Sequence, residues 1–165
     1  MSEAVVADTG PLIALARIGR LDLLQRLYGR VAVPLAVESE LAIGSDRPGA
    51  TVLEGALDAG WIRVDGIPDG AALQDLFKLL GQGEAEAIAL AERRRARLLL
   101  IDDARGRRIA RSRGVPVAGV VGVLLAAKGR QEVEAVAPIL RALSDAGYRL
   151  APLLMEKVLA AAGER

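Results

Sequence analysis

The sequence predicts an α/β domain built on a parallel sheet, and three observations predict it. Leu98-Leu99-Leu100-Ile101 is an apolar run with no polar interruption, which marks a strand buried on both faces, since a half-wet strand alternates. It stops on Asp102-Asp103, and Ala4-Val5-Val6-Ala7 stops in the same way on Asp8. Helical spacing follows each run, so the acids fall at the carboxyl ends of parallel strands, where open α/β sheets keep their sites.

Composition narrows the chemistry. The 165 residues suit one domain, residues 1–165, with 131–165 a helical C-terminal extension. Hydrophobic residues make up 52% and aromatic ones 2%, so the core is Leu, Val, Ala and Ile. A net charge of +1 gives no global field, and polyanion binding needs local clustering. Cysteine is absent, which excludes disulfides and thiolate metal sites and fits a cytoplasmic protein. Histidine is also absent, which removes Ser-His-Asp and Cys-His schemes, imidazole bases and ordinary zinc sites. Neither a signal peptide nor an apolar run near the ~18 residues of a spanning helix is legible, so no membrane association is expected.

In chain order, Thr9-Gly10-Pro11 reads as a helix start, with Thr9 or Gly10 as the cap. Leu12 to Ala16 and Leu21 to Leu27 form two buried helices around Gly19. Val31-Ala32-Val33 is strand-like, and Pro34 opens a helix from Leu35 to Ile43. On it Val37 and Leu41 face the core, Glu40 sits at the edge of the buried face and Glu38 points to solvent. Residues 44–49 are the clearest loop, suited to a lid or a plain connection. A helix over 50–60 and a short edge strand over Trp61-Ile62-Arg63-Val64 follow, then a modest helix over 71–80.

Gly83-Glu84-Ala85-Glu86-Ala87-Ile88 opens a helix of small residues that packs close to the sheet. Glu84 falls in its first turn, where a carboxylate suits the dipole, and Glu86 is placed toward solvent. The last strand lies within 115–119, a helix spans 120–128, and further helices follow around 133–143 and 152–162. Leu150, Leu154 and Val158, with Met155 and Leu159 beside them, make one apolar stripe if the last helix starts early enough.

Carboxylates at matching ends of elements thus come from Asp8, Glu40, Glu84 and Asp102-Asp103, and in a βαβ sheet with right-handed crossovers strands one and four can be neighbours. Like charges brought together repel unless protonated or given a cation. Oxygen ligands without His or Cys select Mg²⁺ or Mn²⁺, and such a site suits hydrolysis of a phosphodiester. Nine basic residues fall between positions 93 and 113, and among them Arg105, Arg107 and Arg108 are the candidate phosphate contacts. A phosphoacceptor domain is disfavoured because no Lys stands at the last strand end.

These residues also carry a family resemblance. Val6-Ala7-Asp8-Thr9-Gly10-Pro11-Leu12-Ile13, Val33-Pro34 with Val37, Glu40 and Leu41, Gly83-Glu84-Ala85-Glu86-Ala87-Ile88, and Leu99-Leu100-Ile101-Asp102-Asp103 with Gly106-Arg107 resemble the PIN-domain nucleases. The match is to the DUF3368 branch, whose members resemble toxins of toxin–antitoxin pairs. The resemblance implies a three-layer α/β/α fold with a five-stranded parallel sheet and a metal-dependent ribonuclease acting on RNA. It matches Asp8, Glu40 and Glu84 to the first three family acids and Asp103 to the fourth, with Asp102 the alternative. It also implies a homodimer and an antitoxin protein as partners. Two positions depart from the pattern: Gly10 stands where many relatives carry Ser or Thr, and Ile101-Asp102-Asp103 replaces Thr-x-Asp. The rival expectation is a catalytically weak, dimeric interaction module that binds an antitoxin or another protein.

Overall fold

The computed structural model describes residues 3–42 and 46–165. Among these, five parallel strands form one sheet in the order β3-β2-β1-β4-β5: β1 Val5–Ala7, β2 Val31–Val33, β3 Ile62–Val64, β4 Leu98–Leu100 and β5 Val117–Ala118. The helices are α1 Thr9–Arg17, α2 Asp22–Tyr28, α3 Leu35–Ala42, α4 Ala50–Ala59, α5 Ala71–Phe77, α6 Gln82–Arg94, α7 Ala104–Ser112, α8 Val120–Gly129, α9 Ala137–Asp145 and α10 Pro152–Ala161.

The two-residue period of the strands divides the core in two. Val5, Ala7, Val31, Val33 and Leu100 point into one cluster with α1, α2, α3, α4 and the helices from α8 onward. Val6, Leu99 and Ile101 point into the other, with α5, α6 and α7. Helices therefore cover both faces, and the uninterrupted apolar character of β1 and β4 follows from burial on both sides. The expected three-layer α/β/α architecture and five-stranded parallel sheet are both present.

Strand order reverses between β1 and β4, which pair Val5 with Leu98, Val6 with Leu99 and Ala7 with Leu100. Asp8 and Asp102 follow these two neighbouring strands, and the Asp8 amide donates to the Leu100 carbonyl at 2.9 Å. Such a reversal opens a crevice at the carboxyl ends of the strands.

Several local expectations are corrected. Thr9 is the first residue of α1 and not its cap; Asp8 holds the cap position. The modest helix ends at Phe77, and the last strand has two residues. Of the predicted lid segment, residues 44 and 45 lie outside the described residues, as does Ile43, the expected helix end. Its remainder leads into Gly49, whose φ of 90° suits glycine, and a Cβ there would stand 2.7 Å from the Ala16 carbonyl carbon. The expected stripe on the last helix also divides: α10 begins at Pro152, so Leu150 lies outside it, and Val158 is buried while Leu153 and Leu154 are exposed.

The C-terminal helices are fastened to the rest of the chain. Glu164 accepts hydrogen bonds from the amides of Val136 and Ala137, at 2.6 and 2.9 Å, and from Lys128 Nζ at 3.0 Å. Its carboxylate caps the start of α9 from a distance, and those donors hold it at about 2, below its ordinary 4.5. Among the described residues no helix is long and apolar enough to cross a membrane.

Candidate functional site

Asp8, Glu40, Glu84, Asp102 and Asp103 line one cavity of about 310 Å³ above the β1–β4 junction. Each acid arrives from its own direction. Asp8 and Asp102 follow two adjacent strands, Glu40 comes from α3, Glu84 from the first turn of α6, and Asp103 caps α7 by accepting from the Gly106 amide at 2.7 Å.

Glu86, expected at the surface, is buried instead. Its Oε1 accepts from the Ala36 amide at 3.2 Å and its Oε2 from Gln82 Nε2 at 3.0 Å. The reason is that α6 packs against α3, whose first turn lies beside Glu86. Glu86 satisfies an amide in the first turn of α3 and so joins the helix carrying Glu84 to the one carrying Glu40. Glu38 is half-buried and does not line the cavity.

Small residues admit the carboxylates. A Cβ on Gly83 would stand 2.5 Å from Glu40 Oε1, and one on Gly119 would stand 2.5 Å from Asp102 Oδ1. A Cβ on Gly106 would meet Glu84 Oε2 at 3.1 Å. The glycines are spaces that the acids fill.

Electrostatics follow from burial and crowding. Burial pushes the Asp8 carboxyl up to about 6; Glu40, Asp102 and Asp103 add to this, against a hydrogen bond from the Thr9 amide. Burial also raises Glu84 to about 7, and the closeness of Asp103, with repulsion from Asp103, Asp8 and Glu40, adds to this. Asp102 is raised by burial, partly offset by the Val120 amide, the Tyr148 hydroxyl and Arg107. Among the described residues two buried oxygens here lack a hydrogen-bond partner, Glu84 Oε2 and Asp102 Oδ2. Buried polar atoms are seldom left so, and carboxylate oxygens without donors suit a cation.

The donor set, all carboxylate oxygen, fits Mg²⁺ or Mn²⁺ by its chemistry. Its present arrangement is closed up: among the described residues no three such side chains are already arranged to hold an ion. Glu40 Oε2 is taken by the Thr9 hydroxyl at 2.6 Å, Asp103 by the Gly106 amide, and Asp102 Oδ1 by the Val120 amide at 2.8 Å and the Tyr148 hydroxyl at 3.0 Å.

Two features escaped the sequence. Tyr148, between α9 and α10, reaches Asp102 across 46 positions, and no local pattern announces that contact. The Arg-rich patch also divides. Arg94 pairs with Asp65 and Arg113 with Glu92, and residues 93–97 precede β4, at the amino-terminal ends of the strands, opposite the ends that carry Asp8 and Asp102. Arg107 turns its Nη1 inward to the carbonyls of Ile101 and Asp102, so it supports the loop. Arg108 is exposed, and Arg105 lines a second cavity of about 380 Å³ that shares Gly81, Glu84 and Asp103 with the first and adds Lys78 and Leu79.

The family model described as DUF3368, PIN domain, matches residues 4–164. A solved PilT N-terminus domain protein from the hyperthermophilic archaeon Sulfolobus solfataricus P2 is similar in fold, at TM-score 0.52 and 20% identity, over 72% of this chain and 89% of that one. A domain of a functionally unknown protein from Methanocaldococcus jannaschii DSM 2661 overlaps 72% of this chain and 91% of its own, at 21% identity and TM-score 0.45. No curated protein matches.

Proposed function

Because this chain belongs to the DUF3368 family of PIN domains, which are generally nucleases, we propose that it is a Mg²⁺- or Mn²⁺-dependent endoribonuclease, the toxin of a toxin–antitoxin pair. The observation that carries this reading is the convergence of five carboxyls at the β1–β4 reversal, two of them with a buried oxygen lacking any donor. Asp8, Glu84, Asp102 and Asp103 would hold the metal, with Glu40 at its edge. When bound, the cation supplies Lewis-acid polarisation of a phosphodiester and neutralises the crowded charge.

The chain's own residues do the rest. Glu84, raised to about 7, holds a proton near neutral pH in the metal-free chain. Lys78 and Arg105, on the adjoining cavity, draw the flanking phosphates of RNA toward Glu84 and Asp103. Arg107 keeps the Asp102 loop in place.

The test is incubation of the purified protein with assorted RNAs, with and without Mn²⁺, beside Asp8→Asn. Metal-dependent cleavage that the variant loses supports the reading; cleavage that survives Asp8→Asn overturns it. Arg105→Ala with Arg108→Ala should weaken RNA binding and flatten its salt dependence by about one unit of slope per lost phosphate contact.

A second reading, a catalytically weak module that binds an antitoxin or a second copy of itself, is favoured by one observation. Leu153 and Leu154 stand 63% and 43% exposed on α10, while the acids are closed up by hydrogen bonds. Binding of Mn²⁺ without cleavage of any RNA would favour it.

A further inference from the structure

The C-terminal helices reach the acid centre through one side chain. Tyr148 lies in the link between α9 and α10, and its hydroxyl donates to Asp102 Oδ1 at 3.0 Å. The same oxygen accepts from the Val120 amide at 2.8 Å, and a Cβ on Gly119 would stand 2.5 Å from it. Oδ1 is therefore fully engaged by protein. Beneath it, Arg107 binds the carbonyls of Ile101 and Asp102 and fixes the main chain.

Oδ2 is in the opposite condition. It is buried and has no hydrogen-bond partner among the described residues. It stands near Gly10, whose Cβ, if present, would be 3.8 Å away, and Gly10 lines the cavity with Asp8 and Glu84. Two donors on one oxygen and none on the other set the plane of a carboxylate and leave one lone-pair edge open.

We propose that Tyr148 is a positioning residue: it holds Asp102 by Oδ1 so that Oδ2 is the oxygen offered to a divalent cation. The helical tail is then part of the centre. Its placement is secured by Glu164, which ties the end of the chain to the start of α9 and to Lys128 and so limits drift of the link between α9 and α10. What the oxygen is offered to rests on the metal-dependent reading; the holding of Asp102 does not.

Tyr148→Phe tests this, because it keeps the ring and removes the hydroxyl alone. In the metal-free protein labelled with ¹³C-aspartate, the Asp102 carboxyl resonance, identified by its loss in Asp102→Asn, is expected to move or broaden. In calorimetry with Mn²⁺, affinity is expected to fall by roughly 10- to 100-fold, the usual cost of losing a hydrogen bond behind a metal ligand, with the melting temperature nearly unchanged. An unmoved resonance with wild-type Mn²⁺ affinity overturns the proposal. A wild-type protein that binds no Mn²⁺ overturns the metal-dependent reading instead, and the resonance alone then decides whether Tyr148 positions Asp102.

Discussion

The Thr9 hydroxyl donates to Glu40 Oε2 at 2.6 Å across 31 positions of sequence. The residue that the sequence offers as a helix cap is thereby spent on aligning an acid from α3. Thr9→Val keeps the shape and removes the donor. It should lower stability by about 1 kcal/mol, the usual net worth of one hydrogen bond, or a melting temperature about 2–4 °C lower for a chain of this size. A melt identical to wild type would mean that water replaces the hydroxyl at no cost.

Gly83→Ala should separate stability from function. The added Cβ would stand 2.5 Å from Glu40 Oε1, the far end of a flexible side chain, so Glu40 gives way while the backbone stays. Alanine also favours a helix by about 1 kcal/mol over glycine. The expected result is a melting temperature equal to or above wild type, with metal-dependent cleavage reduced roughly 10-fold or more. Full activity would show that Glu40 need not hold its present place.

What the sequence reveals and what it hides follow from the range of each signal. Asp8 and Asp102-Asp103 are legible because burial on both faces makes their strands unbroken apolar runs, and the acid after each run stands out. Glu84 is legible from the first-turn preference for acids. Glu86 misleads because a helix with a polar side chain facing away from the sheet normally meets solvent; here it meets the amide end of α3. Tyr148 and the inward turn of Arg107 depend on tertiary placement of loops, which leaves no periodic trace. The position of Leu150 outside α10 is a boundary effect, set by Pro152 at the first helical position.

The exposed pair on α10 gives a prediction about association. Leu154 is 43% exposed and Val158 3%. Leu154→Asp should fold with a stability change within about 0.5 kcal/mol, as surface substitutions do, whereas Val158→Asp should not fold. Light scattering on the wild type tests whether it forms a homodimer. A dimer that Leu154→Asp converts to a folded monomer locates the contact on α10; a wild-type monomer removes the dimer altogether.

The acid cluster sets how the metal-free protein responds to pH. Asp8, ordinarily near 3.8, lies at about 6 in the folded chain, and Glu84, ordinarily near 4.5, at about 7. Between those values the folded chain holds protons that the unfolded chain has released. Its stability therefore falls as pH rises through the window, the reverse of a salt-bridged carboxylate. Glu164 acts the other way: lowered to about 2, it contributes above about 4.5 and loses that contribution only as pH drops toward 2. Denaturant melts in EDTA should thus show greater stability at pH 4.5 than at pH 7. Asp8→Asn should recover part of the difference at pH 7, at most about 3 kcal/mol for a buried group shifted this far, and Mn²⁺ should restore it in the wild type by replacing the missing protons. Should Asp8→Asn instead melt below wild type at pH 7 in EDTA, Asp8 is a hydrogen-bond acceptor that the fold requires, and the crowding of charge is not what limits stability.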